Sequence, residues 1–323
     1  MTETVQTARA AHLRDGALLT VEDLHCSFKT PSGMVHAVRG VTFDVLPGET
    51  LGLVGESGSG KTTTGRAILQ LPAGQKGKVV FDGQDLGKLG RRELRRMRRH
   101  LQMIFQDALS SFNPRRKIVD VVGEGLKIQG TRSHTIRERV ADSLEQVGMN
   151  IDVIGERRPH EFSGGQNQRI AIARALAVGP RLIVCDEPVA SLDVSVQARV
   201  LNVLEDVRES NDLSLIFISH DLAVIRVVSD RIAVMNRGKI VEIGPSDLIY
   251  SEPAHPYTRK LLDAVPVLDE TERPVALREP LAFEDEDWGE VDHELVEVGP
   301  GHFAAISERA LEALRARSAA ART

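Results

Sequence analysis

The stretch Gly55-Glu56-Ser57-Gly58-Ser59-Gly60-Lys61-Thr62 constrains this chain more than any other, because it admits few local folds and one main chemistry. Residues 50–54 read as a buried strand entering it, and residues 63–69 as a helix leaving it. Between the two, Gly58 and Gly60 allow a turn whose backbone N–H groups converge on phosphate oxygens, and the positive end of the helix adds to the attraction. Lys61 would bring a full charge to the β and γ phosphates. Thr62 would offer a hydroxyl to Mg²⁺, a hard cation that takes oxygen ligands. The expectation is a nucleoside triphosphate site.

The rest of the composition mainly excludes. A length of 323 residues suggests about two domains, and 41% hydrophobic residues suffice for a buried core. A net charge of −5 argues against a nucleic-acid partner by bulk electrostatics. Cys26 and Cys185 sit in apolar, strand-like contexts without metal-ligand spacing, which suits a reducing cytoplasm and no chemical role. No window approaches 18 uninterrupted apolar residues, and residues 1–14 lack an apolar signal core. Any work at a membrane would therefore run through partners.

In chain order, residues 1–17 are polar and aperiodic, as in a frayed terminus. Residues 17–21 and 36–45 look like strands around the turn-rich 29–33. Phe28 is open to two readings, ordinary strand packing, which composition favours, or stacking on an adenine face. Residues 77–83 form a strand and turn. An arginine-rich helix over 91–99 follows, with Leu94, Met97 and Leu101 on one side; its arginines read as a solvated face or as a surface for an acidic partner. From about 108 to 176 the pattern turns helical, with Ile118, Val121, Val122 and Gly125, then Val140, Leu144 and Val147, at helical spacing. This segment is expected to be a helical insertion in an α/β core.

Three further apolar runs end in polar groups, where ligands of open α/β sheets usually sit. Residues 101–105 deliver Gln106. Residues 182–185 deliver Asp186 and Glu187, which call for a cation if buried. In phosphate-loop nucleotidases an Asp so placed holds Mg²⁺, and the next carboxylate can polarise the attacking water. Residues 213–218 deliver His220 within reach of a γ-phosphate. Ser163-Gly164-Gly165-Gln166 opens another helix and reads either as a second anion site, serving this chain's ligand or another chain's, or as a plain N-cap with glycines.

With these segments in this order, residues 18–250 resemble the ATP-binding subunit of an ATP-binding-cassette (ABC) transporter. Finer wording resembles the oligopeptide/dipeptide importer class: Gly65-Arg66 after the loop, Met103-Ile104-Phe105-Gln106-Asp107, Ser111-Phe112-Asn113-Pro114-Arg115, Val194-Ser195-Val196-Gln197-Ala198, and Pro253-Ala254-His255-Pro256-Tyr257-Thr258. The Gly65-Arg66 continuation resembles the second of the two ATPase subunits such importers usually pair.

The resemblance implies an α/β phosphate-loop NTPase core of ABC type at 18–250, with an N-terminal antiparallel β subdomain, a helical subdomain near 108–176 and a C-terminal extension over 251–323. It implies ATP and Mg²⁺ as ligands, with residues 55–63, from Gly55, Glu56, Ser57, Gly58 and Ser59 through Gly60, Lys61, Thr62 and Thr63, around the nucleotide. Phe28 then becomes the adenine platform, reversing the leaning from composition. Thr62, Gln106 and Asp186 would hold the metal, while Glu187 and His220, with Lys61 and Gln106, would activate water and stabilise charge. Cassettes would pair head to tail, so that Ser163, Gly164, Gly165 and Gln166 of one close on the ATP of the other and Asp193 bridges them. Expected partners are a second, non-identical ATPase subunit, two membrane permease subunits and an extracytoplasmic solute-binding protein, with no nucleic acid. The place of action would be the cytoplasmic face of the cell membrane, and the work the import of oligopeptides, dipeptides or a related small solute. A soluble cassette ATPase acting on ribosomes or DNA is the alternative, but such proteins commonly fuse two cassettes or insert a coiled coil.

The chain departs from the family pattern at Ala108 for a usual Pro, Asn167 for a usual Arg, and Ala190-Ser191 for the reverse order. It also has no Cys in residues 259–323, where many relatives hold an iron–sulfur centre, so none is expected. In that region the acidic run 284–290 and a polar helix beginning near Ser307 read as a solvated loop and an edge helix, or as a docking contact.

Overall fold

Apolar runs without alternation become parallel strands buried on both faces, and five of them carry this fold. The computed structural model describes residues 10–31, 33–71, 74–264 and 293–320. Its strands are β1 (Leu19–Thr30), β2 (Gly33–Val45), β3 (Thr50–Val54), β4 (Lys76–Phe81), β5 (Gln84–Asp85), β6 (Leu101–Ile104), β7 (Leu182–Asp186), β8 (Ser214–Ser219), β9 (Arg231–Asn236), β10 (Lys239–Pro245), β11 (Leu295–Gly299) and β12 (His302–Ala305). The main sheet runs β11-β12-β10-β9-β3-β8-β7-β6. From β9 to β6 neighbours are parallel, and β10, β12 and β11 continue the sheet antiparallel. A second, antiparallel sheet runs β2-β1-β4-β5.

Period-two alternation sends successive side chains of the parallel strands to opposite faces. Ile183, Cys185, Leu215, Phe217, Ile232 and Val234 join the core under the helical insertion. Val184, Ile216, Ile218, Ala233 and Met235 join the core shared with the antiparallel sheet and with α1 (Lys61–Ile68).

Between β6 and β7 the chain is helical, as expected: after α2 (Arg91–Met97), which precedes β6, come α3 (Ile118–Val122), α4 (Glu124–Ile128), α5 (Ser133–Gln146), α6 (Ile151–Ile154) and α7 (Gly164–Leu176). Ile136, Val140 and Leu144 fall four apart on α5 and are buried, the stripe by which that helix packs. The run from Ile118 to Gly125 is not one helix, because Gly123 is at once the C-cap of α3 and the N-cap of α4. The helices α8 (Val194–Ser210) and α9 (Leu222–Val228) alternate with β7, β8 and β9, and α10 (Ser246–Ser251) and α11 (Pro256–Asp263) follow β10.

At the N-terminus, where fraying was expected, Arg14 pairs with Asp44 at 2.7 Å and Glu49 at 2.5 Å, and the His12 side chain is buried. The C-terminal extension likewise folds onto the core. β12 pairs with β10, Glu242 opposite Ala304, and α12 (Glu308–Ala320) packs Ala310, with Leu311 and Leu314, against Ala254, Ala304 and Ile306. The acidic run 284–290 lies outside the described residues.

Candidate active site

Each parallel strand but one delivers a polar group at the same carboxyl edge of the sheet. The loop Gly55–Thr62 leaves β3 and enters α1 at Gly60, whose φ of 107° is left-handed. A Cβ at Gly60 would lie 2.3 Å from the carbonyl oxygen of Ala37 on β2, so only glycine passes between the loop and that strand. Lys61 is buried and donates from Nζ to the carbonyls of Gly55 (2.7 Å) and Glu56 (3.0 Å), which curls the loop around its own cation. Burial pulls the Lys61 ammonium below its ordinary range, and the nearby Glu187 and Asp186 carboxylates oppose that pull.

Thr62 Oγ1 donates to Asp186 Oδ1 at 2.7 Å, joining α1 to the end of β7. Burial holds the Asp186 carboxyl above the usual carboxylate range, against the stabilising pull of the Thr62 hydroxyl and of Arg66. The next residue, Glu187, has a φ of +46°, unusual for a side chain of this size. Its N–H donates to Ile218 O on β8 (3.0 Å), fixing it in that conformation. Gln106 Nε2, two residues past β6, donates to Glu187 Oε2 at 3.1 Å, and His220 Nδ1, just past β8, lies 3.3 Å from the same oxygen. Thr62, Gln106 and Asp186 line one cleft together with Arg66, Phe105 and Ser111. Among the described residues no group of three or more His, Cys, Asp or Glu side chains could hold a metal unaided. A cation here would need oxygens from a ligand.

Other expected residues lie apart. Phe28, near the end of β1 opposite Val35, is 41% exposed. Ser163, Gly165 and Gln166 line a separate cleft with Arg169, Val196 and Arg199. Ser163 caps α7 in a reciprocal box, Ser163 N donating to Gln166 Oε1 (2.9 Å) and Gln166 N to Ser163 Oγ (3.4 Å). A Cβ on Gly165 would come 2.3 Å from Val196 Cγ1, so its glycine admits α8 against α7. Asp193 caps α8, accepting from Val196 N (3.0 Å) and Ser195 Oγ (2.8 Å), bonds that hold its carboxyl below the usual range. Asn167, which follows the Ser163–Gln166 segment, is buried and donates from Nδ2 to the carbonyls of Pro159 (3.1 Å) and Phe162 (3.2 Å), bracing the segment before Ser163.

Sequence reasoning missed two contributors. Arg66, quoted only as part of a motif, acts on the Asp186 carboxylate. Tyr257 of α11, far along the chain, accepts through its hydroxyl from Glu56 N (3.0 Å); nothing in local periodicity signals such a contact. Both cysteines are free and buried, and burial pushes the Cys185 thiol to about 12.

Comparison with known proteins agrees with this geometry. A family model described as "ABC transporter" matches residues 38–190, and one described as "Oligopeptide/dipeptide transporter, C-terminal region" matches residues 241–285. The oligopeptide transport ATP-binding protein OppF of Bacillus subtilis (strain 168) is 46% identical over 92% of this chain and 98% of its own length. The dipeptide transport ATP-binding protein DppF of Lactococcus lactis subsp. cremoris (strain MG1363) is 44% identical over 91% of this chain and 96% of its own. Among solved structures, a dimeric, post-hydrolysis ATP-binding cassette bound to ADP and Pi is 26% identical, with a TM-score of 0.63, covering 71% of this chain and 98% of that one. No helix among the described residues is long and apolar enough to cross a membrane.

Proposed function

We propose a transport role for this chain, which belongs to the ABC transporter family of ATP-hydrolysing subunits: it binds and hydrolyses ATP to power import of oligopeptides or dipeptides. The observation that carries the reading is the meeting of Lys61, Thr62, Gln106, Asp186, Glu187 and His220 at one sheet edge, each from a different loop or from an adjoining position.

The chemistry follows from placement. The Gly55–Thr62 backbone and Lys61 cradle the phosphates, and Phe28 offers its open face to adenine. Thr62, Asp186 and Gln106 would supply the hard oxygen donors that suit Mg²⁺, and a cation there would oppose the burial that raises the Asp186 carboxyl. With the nucleotide, Mg²⁺ held by these residues would supply positive charge to offset that of the phosphates. Glu187, held by Gln106 and His220, accepts a proton from the water that attacks the γ-phosphorus, as the bond to the bridging oxygen of ADP breaks and phosphate leaves. His220 and Lys61 stabilise charge on the transferring group.

Since Ser163 and Gln166 line another cleft of the same molecule, a second cassette brings its counterpart of the Ser163 helix to this chain's nucleotide, and Asp193 lies at the seam. The second cassette is a non-identical subunit. Two membrane permease subunits take up the motion of closure at the cytoplasmic face of the membrane, and an extracytoplasmic binding protein delivers the solute.

The test is vesicles holding the permease and both ATPase subunits. ATP-dependent uptake of a labelled peptide that stops when this chain is left out supports the role. Undiminished uptake without it, with the chain instead co-purifying with ribosomes or DNA, would sink it.

A further inference from the structure

The C-terminal extension folds back onto the loop that would hold the phosphates, through a continuous set of contacts. Glu242, fully buried on β10, accepts from Ala254 N (2.7 Å) and His255 N (3.0 Å), and His302 Nε2 of β12 lies 2.7 Å from its Oε1. Residues 254–255 and His302 thus converge on one carboxylate. His255 is the N-cap of α11, its Nδ1 accepting from Tyr257 N at 3.1 Å. Because burial lowers the His255 pKa to about 4, its ring is neutral at ordinary pH and Nδ1 keeps the lone pair this cap requires. Thr258, Arg259 and Leu262 anchor the buried side of α11.

The exposed side of α11 meets Glu56 twice. Tyr257 Oη accepts from Glu56 N (3.0 Å), and Lys260 Nζ lies 3.9 Å from Glu56 Oε1. The carbonyl of the same residue accepts from Lys61 Nζ (3.0 Å). Glu56 is therefore held at its N–H by the extension and at its carbonyl by the cation of the loop, with Lys260 near its exposed carboxylate.

We propose that the C-terminal extension is a positioning device for the phosphate loop, in which Tyr257, seated by Glu242, His255 and His302, holds the Glu56 N–H and fixes the first corner of the loop before nucleotide arrives. Tyr257 is a positioning residue and acts through Glu56. A loop held in its binding shape loses less freedom on binding, so the gain appears as nucleotide affinity. The proposal rests on the reading of Gly55–Thr62 as the nucleotide site.

The experiment uses the full-length chain with a fluorescent ATP analogue for binding and phosphate release for turnover, with its partner cassette present. Tyr257→Phe keeps the ring and removes the acceptor oxygen. The expected result is a Kd weakened about fivefold, the net worth of one hydrogen bond, with the larger kinetic effect on KM for ATP rather than kcat and an unchanged melting temperature. Tyr257→Phe that binds like wild type, while Lys61→Ala binds weakly, would overturn the positioning role and leave the nucleotide site standing. A Tyr257→Phe variant that melts earlier with an unchanged Kd would also overturn it, as a contact serving the fold alone. If Lys61→Ala too binds normally, the site reading fails and takes the proposal with it.

Discussion

Gln106 Nε2 lies 3.1 Å from Glu187 Oε2, so the segment after β6 and the end of β7 meet on a single carboxylate oxygen. His220, from the far side of β7, approaches the same atom at 3.3 Å. Three adjacent strands, β8-β7-β6, thereby orient one side chain. The left-handed backbone of Glu187 is the local strain that this arrangement sustains.

Glu187→Gln keeps the shape and the contact positions of this group but removes its basicity. Nucleotide binding should persist while phosphate release slows by about 10²–10⁴, the usual worth of a general base. Single-turnover measurements at saturating ATP decide it; a wild-type rate refutes the assignment.

Gly60→Ala should cripple binding without touching a charged group. Its added Cβ meets the Ala37 carbonyl at 2.3 Å, and the φ of 107° strains any side chain. Backbone strain of about 1–3 kcal/mol corresponds to a loss of about 5- to 150-fold in nucleotide affinity if the loop alone absorbs it. Titration with a fluorescent analogue, with circular dichroism to confirm the fold, reads this out.

Asn167→Leu removes the donor that satisfies the Pro159 and Phe162 carbonyls while keeping the branching of the side chain. We expect a loss of about 1–3 kcal/mol in urea unfolding, the penalty for polar groups left unpaired. The neighbouring Ser163 segment should also exchange its amide hydrogens faster.

Acid should loosen the C-terminal extension ahead of the core. In the fold His255 has a pKa of about 4, lowered by burial against the pull of Glu242 and with the help of His293, whereas its ordinary value is 6.5. The unfolded chain therefore takes up the proton first. The stability that neutral His255 contributes is complete above about 6.5 and falls as pH drops toward 4, by up to about 3 kcal/mol. His255→Asn retains a capping acceptor that does not titrate, and melting curves across this window should be flatter for it than for wild type.

The elements legible in the sequence were those whose signal is local. A strand, a glycine turn and a helix are written consecutively at 50–69, and the apolar runs before Asp186 and His220 are short, unbroken and rich in β-branched residues. Lines of force between distant segments were not legible. Ile118 to Gly125 matches one helical stripe, yet the chain divides it at Gly123. β1 runs to Thr30, with register shifts at three places, where only its first residues stood out. The hairpin of β11 and β12 becomes strand through pairing with β10, and Tyr257 reaches Glu56 across 201 positions. Such contacts have no period to betray them.

The separation on this molecule between the cleft of Thr62 and Asp186 and the cleft of Ser163 has a kinetic meaning. If the Ser163 helix of one cassette serves the nucleotide of another, as proposed, a subunit must meet a mate before it can turn over, and dilute solutions should show an apparent order above one in protein. Tethering both halves to a shared channel abolishes that dependence, since each then finds the other at a fixed local concentration.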